Sequence, residues 1–268
     1  MARESLKIGE YEVYTLDDGI FTTGAGELLG DDSLRAKIRG ALRPVLVVTG
    51  EAIVLIDSGF GPEVPEELQE SYDLRRRDGD LMDDLRELDY EPGDVTHLIL
   101  SHLDPDHAGW AFESRNFPNA TVYIQQAALD EARGFREGHP RQAVAAAASR
   151  AVEEGWCAVL DGDSEITPGV RTEVRSGHAA GHQMVWIEYG NEAALFTGDL
   201  APSNFFLDPE TISKVDTDPE AAQRNRREVL ALAESRDLPV LLYHEPTMGI
   251  ARVQSTGKGG FKGARYAE

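Results

Sequence analysis

The chain has 268 residues, enough to bury a sizeable core, with 41% hydrophobic and 28% charged residues. Its 26 Lys and Arg against 48 Asp and Glu leave a formal net charge of −22, a surface that repels nucleic-acid phosphates and anionic lipid headgroups. The single cysteine, Cys157, excludes an intrachain disulfide and a thiolate metal cluster, and no run of about 18 apolar residues suits a membrane-spanning helix.

The first 60 residues read mostly as strands. "YEVYTLDDGIF" joins β-formers to a turn at Asp18-Gly19, and "LRPVLVVTGEAIVLIDSG" sets two β-branched runs on either side of Gly50-Glu51, a hairpin signal. Residues 60–80 are rich in Pro, Gly and charge and read as a long surface loop with a helical turn, a kind of loop that often carries function. "DLMDDLRELDY" puts Leu81, Leu85 and Leu88 on one helical face behind an Asp80 cap. "PGDVTHLILSH" reads as a turn and a buried strand, followed by a loop crowded with polar residues. "ATVYIQQAALDEA" is a strand running into a helix, and "RQAVAAAASRAVEEG" is an alanine-rich helix. Cys157 falls at the edge of the next strand, where packing suits it better than nucleophilic chemistry. "MVWIEYGNEAALFTGD" and "LPVLLYHEP" supply further strands, separated by a helix that Asp218 caps and Pro219 opens. No repeat or linker divides the chain. One α/β domain over residues 1–268 is expected, and two sheets with outer helices fit the element order better than one doubly wound sheet.

The candidate ligands share a placement. His102, Asp104, Asp106 and His107 crowd into "SHLDPDHAGW" after the strand-like "THLIL". His178 follows "VRTEVRSG", Asp199 follows "AALFTG", and His244 follows "PVLLY". Side chains at strand ends of α/β proteins converge on one rim of a rigid scaffold. Alternate residues of an extended segment point the same way, so His102 and Asp104 can face one point while Asp106 and His107, past Pro105, face a neighbouring one. Two sub-sites fed by one segment suit a binuclear centre with ions about 3.5–4 Å apart, and Asp199 could bridge them. His97, out of step with these residues, and His139, in a turn, read as packing or surface positions.

"SHLDPDHAGW", "SGHAAGHQ", "LFTGDL" and "LLYHEP", preceded by "VLIDSGFG", together resemble the signature set of the metallo-β-lactamase superfamily. The first block is similar to its HxHxDH motif and the second to its GHxxGH motif, and the blocks agree in order and spacing from about residue 45 to 245. The resemblance implies an αββα sandwich with a binuclear metal site at one edge of the two sheets. It assigns His102, residue 104 and His178 to one metal, Asp106, His107 and His244 to the other, and Asp199 to the bridge. It makes Asp57 the buried aspartate that orients a ligand, and it leaves His182 to line or support the site.

Position 104 departs from the pattern, which has histidine there. Three readings stay open: Asp104 ligates; one metal site is weakened and a single ion is used; or catalysis has been lost. The family's histidine typically ligates through its nearer ring nitrogen, and a carboxylate oxygen has similar reach. The flavodiiron branch has glutamate there and holds iron. As a ligand Asp104 would lower the net charge of the centre, make its water less acidic, and tilt preference from zinc, the usual ion of the family, toward iron or manganese.

The implied chemistry is hydrolysis by a metal-activated hydroxide, with two divalent ions as cofactors and Asp106 both ligating and steering the nucleophile. No G-x-S-x-G motif offers an alternative. "HAGW", "LDDGIF" and "KVDTDPEAAQRNRREVL" resemble the lactonase-like and organophosphate-hydrolase-like branch, so a small lactone or ester is the expected substrate. A glyoxalase-II-like thioesterase, a phosphotriesterase, and a non-catalytic metal-binding sensor or partner-binding protein are the alternatives. A tyrosine that follows the bridging aspartate in some homoserine-lactone hydrolases has no counterpart in "GDLAPSNFF"; Phe205 and Phe206 there suit either an apolar pocket wall or core packing. No nucleic-acid or membrane partner is expected. Relatives of the branch often form homodimers. The N-terminal "MARESLKIGEYEVYTL" has no apolar core of a signal peptide, so a cytoplasmic location is expected.

Overall fold

The computed structural model describes all residues except 1–2, 63, 70–71, 77–78 and 267–268. In chain order the strands are β1 (Ser5–Ile8), β2 (Tyr11–Thr15), β3 (Gly19–Gly24), β4 (Lys37–Leu42), β5 (Val45–Val48), β6 (Ile53–Ile56), β7 (His97–Ile99), β8 (Thr121–Gln125), β9 (Cys157–Leu160), β10 (Ser164–Thr167), β11 (Val170–Val174), β12 (Gln183–Tyr189), β13 (Glu192–Phe196), β14 (Pro239–Leu241), β15 (Ile250–Ser255) and β16 (Phe261–Arg265). The helices are α1 (Ala25–Leu29), α2 (Leu81–Glu87), α3 (Pro105–Phe112), α4 (Gln126–Arg133), α5 (Pro140–Glu153) and α6 (Pro219–Ser235). Two seven-stranded sheets result, ordered β1-β2-β5-β6-β7-β8-β9 and β10-β11-β12-β13-β14-β15-β16, with β3 and β4 forming a separate hairpin.

The period-2 alternation of the strands explains the layering. Val54 and Ile56 of β6 and Val185 and Ile187 of β12 enter one core cluster between the sheets. Leu55 and Leu98 turn the other way and pack with Leu81 and Leu85 of α2 and Ala145 and Ala148 of α5. Met184 and Trp186 turn away from the second sheet onto Val229, Leu230 and Ala233 of α6. Helices therefore cover the outer face of each sheet, giving the expected αββα arrangement.

Local signals hold where they rest on caps and turns. The hairpin at Gly50-Glu51 joins antiparallel β5 and β6. Asp80 accepts from the backbone N–H groups of Met82 and Asp83 in a capping box, and Asp218 accepts from Ala221 N–H at the start of α6. Cys157 is buried at the start of β9, and burial pushes its thiol up to about 12, as a packing role requires. His97 is half-buried and stacks on Tyr123, and His139 caps α5 by accepting from Arg141 N–H. The segment after Asp104 differs from expectation: it is α3, not loop, because Asp104 stands at the N-cap position and Pro105 opens the helix.

Candidate metal centre

Strand direction places the candidate ligands. β6 and β7 run parallel, so Asp57 and His102 leave the first sheet at the same edge. β11 and β13 flank the antiparallel β12, and β14 runs parallel to β13. The C-terminal ends of β11, β13 and β14 therefore share an edge of the second sheet, and His178, Asp199 and His244 follow them. Gln183 N–H donates to Ser101 O at 2.9 Å and its amide donates to Leu100 O at 2.7 Å, tying the two edges together.

The seven sequence-predicted ligands come together. His102, Asp104 and His178 form one group, Asp106, His107 and His244 a second, and His102, His107 and Asp199 a third; within each, one donor atom per residue lies within 4.8 Å of the others. Asp199 faces both sides. Its Oδ2 lies 3.4 Å from His178 Nε2, and its Oδ1 lies 3.3 Å from both His107 Nε2 and His244 Nε2. Asp104 Oδ2 lies 3.6 Å from His102 Nε2 and 3.8 Å from His178 Nε2. Asp106 Oδ2 lies 3.5 Å from His244 Nε2.

Each imidazole is held by its other nitrogen. His107 Nδ1 lies 2.7 Å from Asp57 Oδ2, His178 Nδ1 lies 3.0 Å from Asp216 Oδ1, and His244 Nδ1 lies 2.8 Å from the carbonyl oxygen of Ala41. His102 Nδ1 lies 3.0 Å from Ser101 Oγ, whose hydroxyl donates to Asp57 Oδ2 at 2.7 Å. Such partners fix ring orientation and leave Nε2 free. Among the described residues, the Nε2 atoms of His102, His107 and His178 and Oδ1 of Asp199 are in fact buried without a hydrogen-bond partner. A buried unsatisfied polar atom costs about 1–3 kcal/mol. Imidazole nitrogens and carboxylate oxygens 3.3–3.8 Å apart match the edges, roughly 3.3–3.6 Å, of a tetrahedron with metal–ligand bonds of about 2.0–2.2 Å. The donor set thus fits a pair of divalent cations.

Asp57 and His182 support this set without joining it. Asp57 is fully buried at φ 56, a left-handed conformation uncommon outside glycine. That conformation lets its carboxylate accept from Ser101 N–H at 2.7 Å as well as from the Ser101 hydroxyl. His182 Nε2 accepts from Asp199 N–H at 3.1 Å, and its Nδ1 faces Arg175 O at 3.2 Å. Gly198, at φ 49, makes room for this contact: a Cβ there would meet His182 Nε2 at 2.7 Å.

Charges within the cluster compensate one another. Burial disfavours a charged His178, but the carboxylates of Asp199, Asp104 and Asp216 outweigh it and raise the imidazole to about 10. His107 is likewise lifted well above its ordinary value, against burial, by Asp199, Asp57 and Asp106. Burial raises the Asp104 and Asp199 carboxyls, yet neighbouring cationic groups hold both well below the usual range. Burial keeps His182 neutral, well below its usual value.

A cavity of about 220 Å³ opens onto Asp104, Asp106, His178, Asp199 and His244. Phe21, Leu28, Leu68, Phe205 and Val215 give it apolar walls. Phe205 is exposed and Phe206 buried, and both line it. Three further residues were not legible as parts of the site. Tyr72, from the 60–80 segment, lines the same cavity; burial and the carboxylates of Asp106, Asp104 and Asp199 push its phenol well above 10, so it remains an O–H donor. Asp216 sits inside the "KVDTDPE" stretch, but nothing local tied it to His178. Arg141 lies at the start of α5 and grips Asp104, with Nε 2.5 Å from Oδ1 and Nη2 2.6 Å from Oδ2.

Comparison with known proteins bears on the family and the fold. An N-acyl homoserine lactonase of Bacillus cereus is 28% identical over 153 residues, 53% of this chain and 56% of that protein. A probable metallo-hydrolase of Mycobacterium tuberculosis is 28% identical over 185 residues, 58% of this chain and 55% of that protein. The matches thus span about half the length of these relatives. Among solved structures, the dizinc quorum-quenching lactonase AidC, in complex with a product, superposes with a TM-score of 0.82 at 21% identity, covering 100% of this chain and 98% of that one. AbOPH, a hydrolase in the beta lactamase superfamily, gives 0.78 at 21% identity over 99% and 98%. The family profile itself matches residues 44–244, the stretch that holds Asp57 and every candidate ligand. With two helix-covered sheets and a histidine and carboxylate cluster at their shared edge, the chain belongs to the Metallo-beta-lactamase superfamily.

Proposed function

We infer that the protein is a metal-dependent hydrolase acting on a small lactone or ester. The observation that carries this reading is the cluster of buried Nε2 atoms of His102, His107 and His178 and Oδ1 of Asp199, without hydrogen-bond partners among the described residues, which reaches an apolar-walled cavity through His178 and Asp199. His102, Asp104 and His178 would hold one divalent cation and Asp106, His107 and His244 a second, with Asp199 between them. When bound, such cations lower the pKa of water and polarise a carbonyl oxygen. Asp106, which lines the cavity together with His244, would orient the attacking water. Tyr72 keeps its proton and can donate a hydrogen bond to the substrate. The apolar walls suit an acyl chain. The N-acyl homoserine lactonases among the relatives support that class as the first substrate to try.

The test is reconstitution of the metal-free protein with zinc, followed by assays of N-acyl homoserine lactones, aryl esters, thioesters and phosphotriesters. Zinc-dependent turnover is expected on a lactone or ester, with a loss of at least about a thousandfold in His107→Ala, which removes a ligand of the second group and the partner of Asp57. Tight metal binding without turnover on any of these would favour a metal-binding sensor.

A further inference from the structure

The geometry points to Arg141 as the residue that makes Asp104 equivalent to a neutral, one-atom ligand, so that the Asp104–Arg141 pair stands where the family places a histidine. The inference rests on the metal-centre reading above and concerns how this chain accommodates its departure from the motif.

The contact is a two-pronged one. Arg141 Nε lies 2.5 Å from Asp104 Oδ1 and Nη2 lies 2.6 Å from Oδ2, the fork arrangement that arginine offers a carboxylate and lysine cannot. The guanidinium does not arrive by chance of an exposed side chain. Arg141 is 9% exposed. Its backbone is fixed in the first turn of α5 by Pro140 and by the His139 cap, and its guanidinium carbon lies 5.2 Å from the centre of the Phe135 ring. Among the described residues, Asp106 and Asp199 meet only imidazoles at ion-pair distance, whereas Asp104 also meets an arginine.

Two consequences follow. The positive charge of Arg141 cancels the negative charge that Asp104 adds, so the centre keeps the charge it would have with histidine. Nε takes up Oδ1, while Oδ2 accepts from Nη2 through one lone pair and turns the other toward His102 and His178, so the carboxylate offers a single donor atom and is held from chelating through both oxygens. The expected tilt toward iron or manganese came from a ligand that is both anionic and harder, and Arg141 offsets the charge part of that tilt.

The pair therefore predicts that restoring the motif histidine alone is harmful. Asp104→His strands a buried guanidinium beside the cation site. Zinc binding, measured by chelator competition on the metal-free protein, should weaken by about tenfold or more at one of two sites. Adding Arg141→Met in the same chain should bring binding back to within about threefold of wild type. In loading from equimolar zinc and manganese, Arg141→Met alone should take more manganese than either wild type or the double variant. If Asp104→His does not fold, the manganese share of Arg141→Met against that of the double variant carries the same coupling. Asp104→His binding zinc as tightly as wild type, or a double variant no better than Asp104→His, overturns the inference and leaves the metal-centre reading standing. Absence of zinc binding by the wild type overturns both.

Discussion

In the metal-free protein the site's imidazoles and carboxylates neutralise one another, and His178 shows the thermodynamic result. Its folded-state value of about 10 lies above the 6.5 of an ordinary imidazole. Folding therefore takes up a proton at pH values between the two. The stabilisation is fully present below about 6.5 and is lost as pH rises through about 10. His107 and His244 are raised as well and act in the same direction. His102 and His182 are depressed and act in the opposite one, penalising the folded state as pH falls below the ordinary imidazole value. The melting temperature of the metal-free protein, followed by thermal unfolding in the presence of a chelator, is expected to fall steadily from pH 7 to pH 10. Saturating zinc should flatten this slope, because a cation replaces the protons on the same nitrogens. A melting temperature that rises over this window would overturn the net proton uptake by His107, His178 and His244 on folding.

The elements that carry these residues are positioned by close backbone contacts as much as by apolar packing. α3 presents Asp106 and His107 from its first turn, and it docks on the turn after β6 with Gly109 N–H donating to Gly59 O at 2.8 Å and Ser58 N–H donating to His107 O at 2.6 Å. A Cβ on Gly109 would stand 1.9 Å from the backbone carbon of Phe60. Gly109→Ala is expected to destabilise the fold by about 1–3 kcal/mol or more and to weaken zinc binding, both read by urea unfolding and chelator competition. Gly50→Ala, where a Cβ meets nothing within 4 Å, should leave both unchanged. Which elements were legible follows from the range of the interactions that define them. Strand ends and their ligands ride on apolar runs, so His102, His178, Asp199 and His244 could be placed from the sequence. Asp104-Pro105 opens α3 as Asp218-Pro219 opens α6, but the crowd of polar side chains after it looked like a loop. Arg141 is 37 residues from Asp104, and Asp216 is 38 from His178. Their partnerships exist only once helix α5 and the loop before α6 have been folded over the sheet edges, and no local pattern announces them.

At the scale of the molecule, the cavity is assembled from segments far apart in the chain, and Asp18 is where several of them meet. Its fully buried carboxylate accepts from Phe60 N–H at 2.9 Å, Leu81 N–H at 3.3 Å, the indole N–H of Trp110 at 3.0 Å and the guanidinium of Arg76 at 2.9 Å. "LDDGIF" and "HAGW", two stretches that pointed to the lactonase-like branch, are thereby joined by a single hydrogen bond. Arg76 also donates to the carbonyl oxygens of Asp18 and Gly61. The clasp thus anchors both ends of the 60–80 segment, from which Leu68 and Tyr72 reach the cavity. The imidazoles of the candidate ligands have supports of their own: Asp57, Asp216, Ala41 and Ser101 hold them, and none of these touches Asp18 at hydrogen-bond distance among the described residues. Removing the clasp should therefore loosen substrate binding while sparing the metal centre. Asp18→Ala leaves the Phe60 N–H and the buried indole N–H of Trp110 without their acceptor and the half-buried Arg76 with backbone carbonyls alone, at a cost on the order of a few kcal/mol. The expected outcome is faster tryptic cleavage after Arg75 or Arg76, unchanged zinc stoichiometry, and a KM raised by about tenfold with a smaller change in kcat. Equal losses in kcat and zinc content would instead place Asp18 in the support of the metal ligands.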